Sequence, residues 1–236
     1  MKRVGEKTRL IASLFVAVVV ITAISAPFNR AIAVMPHIPE DKDTLPLAPI
    51  VRNDEVISPY DTIMRRVALN YGYDWRLISA VAYTESHFDY DAFSDAGARG
   101  LMQITPIVAE RYGVNPDSLY NPSLNVELGV RLLSHYGGSF SFPEGINPKD
   151  RISIVLASYN CGIGHIYDAR RLAQVNGENH NSWDVVQKYL RMKSDPEVYG
   201  DTINVRCGRF DDHRQTIGFV RRVMARYDDY CKLTSI

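Results

Sequence analysis

Two Asn-Pro pairs, each followed by an apolar run of helical spacing, constrain the fold of this chain most strongly. Asn121-Pro122 and Asn147-Pro148 each join an N-cap side chain to a proline at the first helical position. The apolar spacing is helical from Pro59 onward, and the sequence contains neither a series of alternating strands nor an internal repeat. It therefore predicts a compact, mainly α-helical domain.

The same spacing places the other helices, with capping residues and glycines at their ends. We expect helices around 63–68 before Gly72, from Asp74 past Glu85, within Leu101–Tyr112, from Asn121 to about Tyr136 before Gly137-Gly138, from Asn147 to a break at Gly162 and Gly164, and over His165–Val175, Trp183–Met192 and Arg214–Tyr230. The segment Asp89–Gly100 is rich in Asp, Ser, Gly and Ala, which predicts a tight loop.

The chain divides into three regions. Residues 1–33 contain a basic start and an uncharged apolar run, Leu10–Phe28, which is typical of a secretory signal but also long enough for an uncleaved membrane anchor. Residues 34–58 contain four prolines and no persistent apolar period, so we expect a linker. Residues 59–236 carry the folded domain. Either interpretation of the N-terminus exports that domain to the periplasm or cell envelope, with or without an anchor in the inner membrane.

The charge balance argues against a nucleic-acid partner. The chain has 27 basic and 27 acidic residues, and its basic excess is confined to the N-terminus. The remainder is mildly acidic, so electrostatic capture of an anionic polymer is not expected. The six histidines are scattered without metal-ligand spacing, and no cofactor motif is present, so neither a metal nor a cofactor is expected.

The three cysteines, Cys161, Cys207 and Cys231, leave two alternatives open. In an oxidising compartment Cys207 and Cys231 can form a disulfide that staples the C-terminal segment. Alternatively, all three are buried thiols, because free cysteine is a common core residue.

Glu85 is the residue most suited to chemistry. It follows the apolar run of a predicted helix, and aromatic or apolar residues such as Tyr83 and Phe88 lie close to it in sequence. A carboxyl group in such surroundings keeps its proton near neutral pH, which general acid catalysis at a glycosidic bond requires.

A second catalytic carboxylate is not evident. Asp89, Asp91 and Asp95 lie in the predicted loop and suit turn and capping roles. A glycosidase without a carboxylate nucleophile needs the substrate itself to supply one.

Three separated segments share a pattern of small residues, amides and hydroxyls around this carboxylate. They are Glu85-Ser86-x-Phe88, Ser94-x-x-Gly97-Ala98-x-Gly100-Leu101-Met102-Gln103 and Ser158-Tyr159-Asn160-x-Gly162. In type and order they resemble the motifs of the soluble-type lytic transglycosylases, bacterial cell-wall enzymes with a goose-lysozyme-like helical domain. The resemblance implies that residues 59–236 are a lytic transglycosylase catalytic domain.

The resemblance also implies a reaction: cleavage of the β-1,4 bond between N-acetylmuramic acid and N-acetylglucosamine in peptidoglycan. Glu85 first protonates the leaving oxygen and then takes the proton of the muramic acid 6-hydroxyl, which closes onto the anomeric carbon as a 1,6-anhydro ring. One residue acting as acid and then as base agrees with the missing second carboxylate.

By the same resemblance, five residues bind substrate around the catalytic carboxyl. Ser94 and Gln103 line the site, Met102 packs beneath a sugar or simply in the core, and Tyr159 covers the carboxyl and hydrogen-bonds to it. Asn160 belongs to the same group, although a bracing role at the helix end suits it better.

The C-terminal segment departs from the family pattern E-T-x-x-Y-V. Gln215 stands where glutamate is usual, and Phe219 where tyrosine is usual. A polar contribution from these two positions is therefore in doubt. The helical spacing of Phe219, Val220 and Val223 still predicts that they pack in the core.

Two other functions stay open. A muramidase of the same fold would let water attack in place of the 6-hydroxyl. A non-catalytic peptidoglycan-binding or assembly protein would keep the groove without turnover. Peptidoglycan glycan strands are the expected partner in all three cases, and the sequence identifies no protein partner.

Overall fold

The computed structural model of the protein describes residues 56–234. Within this range there are nine α-helices and a short 3-10 helix, Pro116–Tyr120, and extended pairing is confined to two isolated bridges. The α-helices are α1 (Asp61–Tyr71), α2 (Trp75–Ser86), α3 (Pro106–Arg111), α4 (Pro122–Ser139), α5 (Pro148–Cys161), α6 (Ile163–Val175), α7 (Trp183–Met192), α8 (Pro196–Tyr199) and α9 (His213–Leu233). The predicted mainly α-helical class is confirmed. The predicted signal or anchor, and all but the end of the predicted linker, lie outside the described residues.

Helices α2 and α5 form the centre of the domain. Residues 77–82 of α2 and 153–159 of α5 are all buried. Helix α2 packs against α1 and α9, while α5 packs against α4, α6 and α9. Because the burial of apolar surface contributes about 25 cal/mol per Å², this packing fixes both helices firmly. It therefore also fixes the residues at their C-terminal ends.

The predicted capping residues are confirmed. The side chains of Asp74, Asn121 and Asn147 each accept a hydrogen bond from a first-turn N–H, at 2.9, 3.1 and 2.9 Å. Gly72 ends α1 in the left-handed conformation at φ +69°. Caps depend on a few neighbouring residues, so a short sequence pattern is enough to locate them.

The segment 101–112 is less helical than expected. Only Pro106–Arg111 is helical, and the Thr105 hydroxyl caps it. A residue before proline avoids the helical conformation, so the helix cannot extend back towards residue 101. Residues 101–103 instead form a turn.

Two predicted glycine breaks are wrong. Helix α4 continues through Gly137-Gly138, and Gly164 lies inside α6. At Gly164, a Cβ would collide with the sulfur atom of Cys207, so glycine serves close packing there. Gly162, at φ +86°, does separate α5 from α6 as predicted.

A buried ion pair fixes the segment before α9. Lys193 Nζ lies 2.7 Å from Asp168 Oδ2, with both side chains almost fully buried, and 2.9 Å from His165 Nδ1. Asp168 also accepts the N–H groups of Arg206 and Cys207 at 2.9 and 2.8 Å. Although burial acts to raise it, these hydrogen bonds and the Lys193 charge keep the pKa of Asp168 below its ordinary value.

The cysteines fit neither expected alternative completely. All three are thiols, and only Cys161 is buried. Cys207 lies against Gly164, whereas Cys231 interacts with Tyr227 on α9, so the structure does not contain the disulfide of the first alternative. Among the described residues, no helix combines the length and hydrophobicity that a membrane span needs.

Candidate active site

Glu85 lies in the last turn of α2, where the helix leaves the core. The helix ends at His87, whose backbone is left-handed at φ +55°. The Glu85 side chain is half-buried, and burial raises the pKa of its carboxyl from 4.5 to about 8, against the opposing effect of the Arg222 charge. At neutral pH Glu85 is therefore mainly protonated, as a general acid must be.

Aromatic rings surround the end of α2. The Tyr83 ring lies edge-on to His87 and Phe88, with centroid distances of 4.8 and 5.5 Å. The guanidinium of Arg226 lies 3.8 Å from the Tyr83 ring centroid. Phe88 is also left-handed, at φ +65°, and side chains other than glycine adopt this conformation at a cost of about 1–3 kcal/mol. Two such residues in succession turn the chain sharply from the helix into the next loop.

The start of that loop is a turn built on Ser94. The Ser94 N–H donates to the Ala98 carbonyl at 3.0 Å, and the Gly97 N–H donates to the Ser94 carbonyl at 2.8 Å. The Ser94 hydroxyl accepts the Ala98 N–H at 3.0 Å. The hydroxyl thus braces the turn as an acceptor, and its own proton can still be donated to a ligand.

Gln103 braces the end of the loop. Its backbone is left-handed at φ +48°, and its side-chain Nε2 donates to the Gly100 carbonyl at 3.0 Å and to the Ala92 carbonyl at 3.3 Å. The amide nitrogen is therefore engaged inside the loop, and the amide oxygen is the part that a ligand can use.

Asn125 ties the loop to α4, and no sequence pattern singled it out. Its side chain is fully buried; Oδ1 accepts the Met102 N–H at 2.7 Å, and Nδ2 donates to the carbonyls of Arg99 and Leu119, both at 2.8 Å. A Cβ at Gly100 would lie 2.5 Å from Asn125 Nδ2, so only glycine fits there. The available signal was a polar residue on the apolar face of a predicted helix.

Tyr159 reaches the same loop from α5. Its hydroxyl donates to the Met102 carbonyl at 2.6 Å, whereas the sequence led us to expect a bond to Glu85. Burial raises the Tyr159 pKa well above its ordinary value, and the charge of nearby Glu85 raises it further. The two side chains are therefore close enough for their charges to interact.

Met102 lies in the core beneath the loop. It is completely buried, and its side chain packs on Gly129 of α4, where a Cβ would come within 2.7 Å of Met102 Cε. Its side chain fills the core under the loop, as the core alternative expected, and a contact with a sugar stays a prediction.

Ser86 and Asn160 complete the framework at the ends of the two central helices. The Ser86 hydroxyl donates to the Leu101 carbonyl at 2.9 Å. Asn160 Oδ1 accepts the hydroxyl of Thr216 on α9 at 2.9 Å, which joins α5 to α9. Phe219 is buried one turn further along α9, as its spacing predicted. Asn160 thus has the bracing contact that its position suggested.

These elements bring a protonated carboxyl together with a rigid loop that carries a hydroxyl and an amide. Such a site can donate a proton to a bound polar ligand and hold that ligand by hydrogen bonds. In residues 56–234, no group of three or more His, Cys, Asp or Glu side chains is arranged to hold a metal ion.

Comparison with known families agrees with this geometry. The sequence model of the transglycosylase SLT domain matches residues 62–182, which span the Glu85 segment, the loop and the Tyr159 segment. The chain belongs to the transglycosylase SLT domain family.

The chain is similar to part of several larger proteins. Membrane-bound lytic murein transglycosylase F of Maricaulis maris is 38% identical over 160 residues, which are 67% of this chain and 34% of that protein. The protein of the same name from Desulfosudis oleivorans is 33% identical over 166 residues, 70% of this chain and 35% of that protein. The chain thus spans about a third of the length of these relatives.

Two solved structures also align with the chain. An inactive mutant of lytic transglycosylase Slt from Pseudomonas aeruginosa matches 74% of this chain and 24% of that one, with 25% identity and a TM-score of 0.49. The 70 kDa soluble lytic transglycosylase from Escherichia coli matches 75% of this chain and 24% of that one, with 21% identity and a TM-score of 0.48.

Proposed function

We propose that this protein is a peptidoglycan lytic transglycosylase of the bacterial cell envelope. It cleaves the β-1,4 bond between N-acetylmuramic acid and N-acetylglucosamine without consuming water, and leaves 1,6-anhydromuramic acid ends. The observation that carries the proposal is the Glu85 carboxyl, whose pKa of about 8 keeps it protonated at the C-terminal end of the largely buried helix α2. Membership of the transglycosylase SLT domain family and the names of the relatives, which are lytic murein transglycosylases, support the substrate class.

In the first step Glu85 acts as the general acid. Its proton passes to the glycosidic oxygen as the bond from that oxygen to the muramic acid anomeric carbon breaks. The N-acetylglucosamine side leaves with a free hydroxyl, and Glu85 becomes a carboxylate. In the absence of a carboxylate nucleophile, the substituents of the electron-poor sugar would stabilise it, as in substrate-assisted glycosidases.

In the second step the Glu85 carboxylate acts as the general base. It takes the proton of the muramic acid 6-hydroxyl while that oxygen bonds to the anomeric carbon and closes the anhydro ring. Glu85 ends protonated, ready for the next bond, and the atoms balance without water. The raised pKa suits this half of the cycle as well, because a weaker acid is a stronger base.

The loop and the central helices supply the groups that hold the glycan. The Ser94 hydroxyl can donate to a sugar oxygen, and the Gln103 amide oxygen can accept from a sugar hydroxyl or acetamido N–H. The Tyr159 ring closes the site beside Glu85 while its hydroxyl holds the Met102 carbonyl. Asn160 supports the site through α9 and does not need to touch the glycan.

The proposed location is the cell envelope, where peptidoglycan lies. Residues 1–33 would direct export as a signal or an anchor, residues 34–58 would act as a linker, and residues 59–236 would form the catalytic domain. The two relatives described above are named membrane-bound, which supports the proposal that this chain is attached to a membrane of the cell envelope.

The test is a digestion of purified peptidoglycan by the full chain, with mass spectrometry of the soluble products. Glu85→Gln is the test variant because glutamine keeps the shape of the side chain but cannot give up the proton. Glu110→Gln is the matched control, since Glu110 is exposed on α3. We expect products with 1,6-anhydromuramic acid from the wild type and from Glu110→Gln, and none from Glu85→Gln.

The other outcomes identify the alternatives. Products with reducing-end muramic acid, one water heavier, would identify a muramidase. If a folded wild-type chain bound peptidoglycan but released nothing, the protein would be a binding or assembly protein.

A further inference from the structure

We propose that Arg222 on α9 is a positioning residue for Glu85: its guanidinium stabilises the carboxylate that forms when Glu85 gives its proton to the substrate. This inference rests on the proposed function and adds a second residue to its acid–base chemistry. The proposed cycle passes through a carboxylate at a half-buried position, and an unpaired carboxylate there is costly. A cation placed beside it lowers that cost.

The packing of α9 on α2 brings Arg222 to this position. The two helices are antiparallel. At the start of α2, Arg76 Nη1 donates to the hydroxyl of Thr234, just after the end of α9, at 3.4 Å, whereas Arg226, eight residues earlier in the chain, covers the Tyr83 ring seven residues further along α2. Arg222 lies one turn before Arg226 on the same face of α9. In an antiparallel pair, one turn back on α9 corresponds to a position beyond Tyr83 on α2, where Glu85 lies.

The Arg222 side chain is directed along α9 towards its N-terminus. A Cβ at Gly218 would lie 3.2 Å from Arg222 Nη1, so the guanidinium lies over the turn that precedes its own Cα. That end of α9 also carries Thr216, which bonds to Asn160 at the end of α5. Arg222 therefore lies on the part of α9 that faces the ends of both central helices. Gly218 leaves room for the guanidinium there.

The electrostatic effects are reciprocal. Burial raises the pKa of Glu85, and the Arg222 charge acts in the opposite direction. Burial and the charge of Arg221 lower the pKa of Arg222, and the Glu85 charge acts to raise it. From α5, Tyr159 is the other titratable group that interacts with the Glu85 charge. The carboxylates of the neighbouring loop are exposed to solvent: Asp89, Asp91 and Asp95.

Arg222 also gives α9 a polar group directed at Glu85, which Phe219 cannot provide. Phe219, at the position where a tyrosine was expected from the family pattern, is buried and has no polar group. Arg222, three residues after Phe219 on α9, carries the charge that acts to lower the pKa of Glu85. In this chain the C-terminal helix thus contributes to the acid–base chemistry through Arg222.

The experiment measures the Glu85 titration and the catalytic pH profile in the same variants of the full chain. Arg222→Met removes the charge, Arg222→Gln is a second neutral variant, and Arg222→Lys keeps the charge. Arg221→Met is the matched control, because it removes an equal charge from the adjacent position and both arginines are exposed. Carbon-detected NMR gives the pKa of the Glu85 carboxyl directly, and thermal unfolding shows that each variant is folded.

In both neutral variants we expect the pKa of Glu85 to rise by about one pH unit. The alkaline limb of the kcat/KM profile should move to higher pH by the same amount. We also expect kcat to fall roughly three- to tenfold, because Glu85 becomes a weaker acid. Arg222→Lys should restore most of the wild-type Glu85 pKa, pH profile and kcat, and Arg221→Met should leave all three unchanged. An unchanged Glu85 titration in folded Arg222→Met and Arg222→Gln would overturn the proposal. Since the titration needs no turnover, a wild type without anhydro products would refute the proposed reaction and leave this electrostatic pairing measurable.

Discussion

Replacing Glu85 by glutamine should stabilise the folded protein at pH 8 and leave its stability at pH 4 almost unchanged. The folded state raises the pKa of Glu85 from 4.5 to about 8. Below pH 4.5 both the folded and the unfolded states hold the proton, so the raised pKa does not lower the free energy of unfolding there. As the pH rises from 4.5 to 8, the unfolded state ionises first, and the folded state loses stability relative to it.

The size of the effect follows from the same two values. Each pKa unit corresponds to about 1.4 kcal/mol, so the difference of about 3.5 sets an upper limit of about 5 kcal/mol at pH 8. The half-buried carboxyl keeps some contact with water, which screens it, so we expect about 2–3 kcal/mol. Glutamine has nearly the same shape and stays neutral, so the variant removes the cost of ionisation without opening a cavity.

Urea unfolding followed by circular dichroism at pH 4, 6 and 8 measures this free energy. The difference between Glu85→Gln and the wild type should grow from near zero at pH 4 to its full value at pH 8. Glu110→Gln should show no such trend, since Glu110 is exposed. A difference that is the same at all three pH values, or a variant that is less stable at pH 8 than the wild type, would refute the assignment of Glu85 as a carboxyl kept protonated by burial.

Three substitutions test the framework that holds the loop, each by urea unfolding and by release of soluble peptidoglycan products. Asn125→Ala should lower the free energy of unfolding by about 2–4 kcal/mol, because it leaves buried backbone groups without partners; a loss below about 1 kcal/mol would contradict this. Gly100→Ala should destabilise by at least about 2 kcal/mol and abolish product release, since its φ is +72° and a Cβ would lie 2.6 Å from the Leu119 carbonyl; normal activity would exclude the strain. Tyr159→Phe should cost about 1–2 kcal/mol by losing the bond to the Met102 carbonyl and should lower kcat more than it changes KM; an unaltered stability would mean that the bond contributes nothing.

The fold could be predicted where local chemistry decides it. Asp74, Asn121 and Asn147 cap helices because each bonds to an N–H two or three residues ahead, and no distant part of the chain takes part. Gly137 and Gly164 were misjudged for the opposite reason. Glycine favours a helix end locally, but in these helices distant side chains pack against them and favour continuation.

The residues of the candidate site could also be predicted only where their surroundings are local in sequence. The sequence predicted a raised pKa for Glu85, because an apolar run before it in a helix already indicates burial, which is the cause of the shift. It left two places open for Met102, because whether a methionine faces a groove or the core depends on Gly129, on a different helix. Asn125 and Arg222 act on residues far from them in sequence, so a local pattern cannot show what they contact.

The anchoring of the loop has a consequence for its motion. Ser86 from α2, Asn125 from α4 and Tyr159 from α5 all bond to main-chain atoms within residues 99–102. A segment held by three separate helices cannot open while they remain packed, so the Met102 amide should exchange with deuterium only when the whole domain unfolds. An arriving glycan strand would then meet a surface already in its final shape. Little ordering entropy would be lost on binding, and specificity would depend on fit to a fixed template.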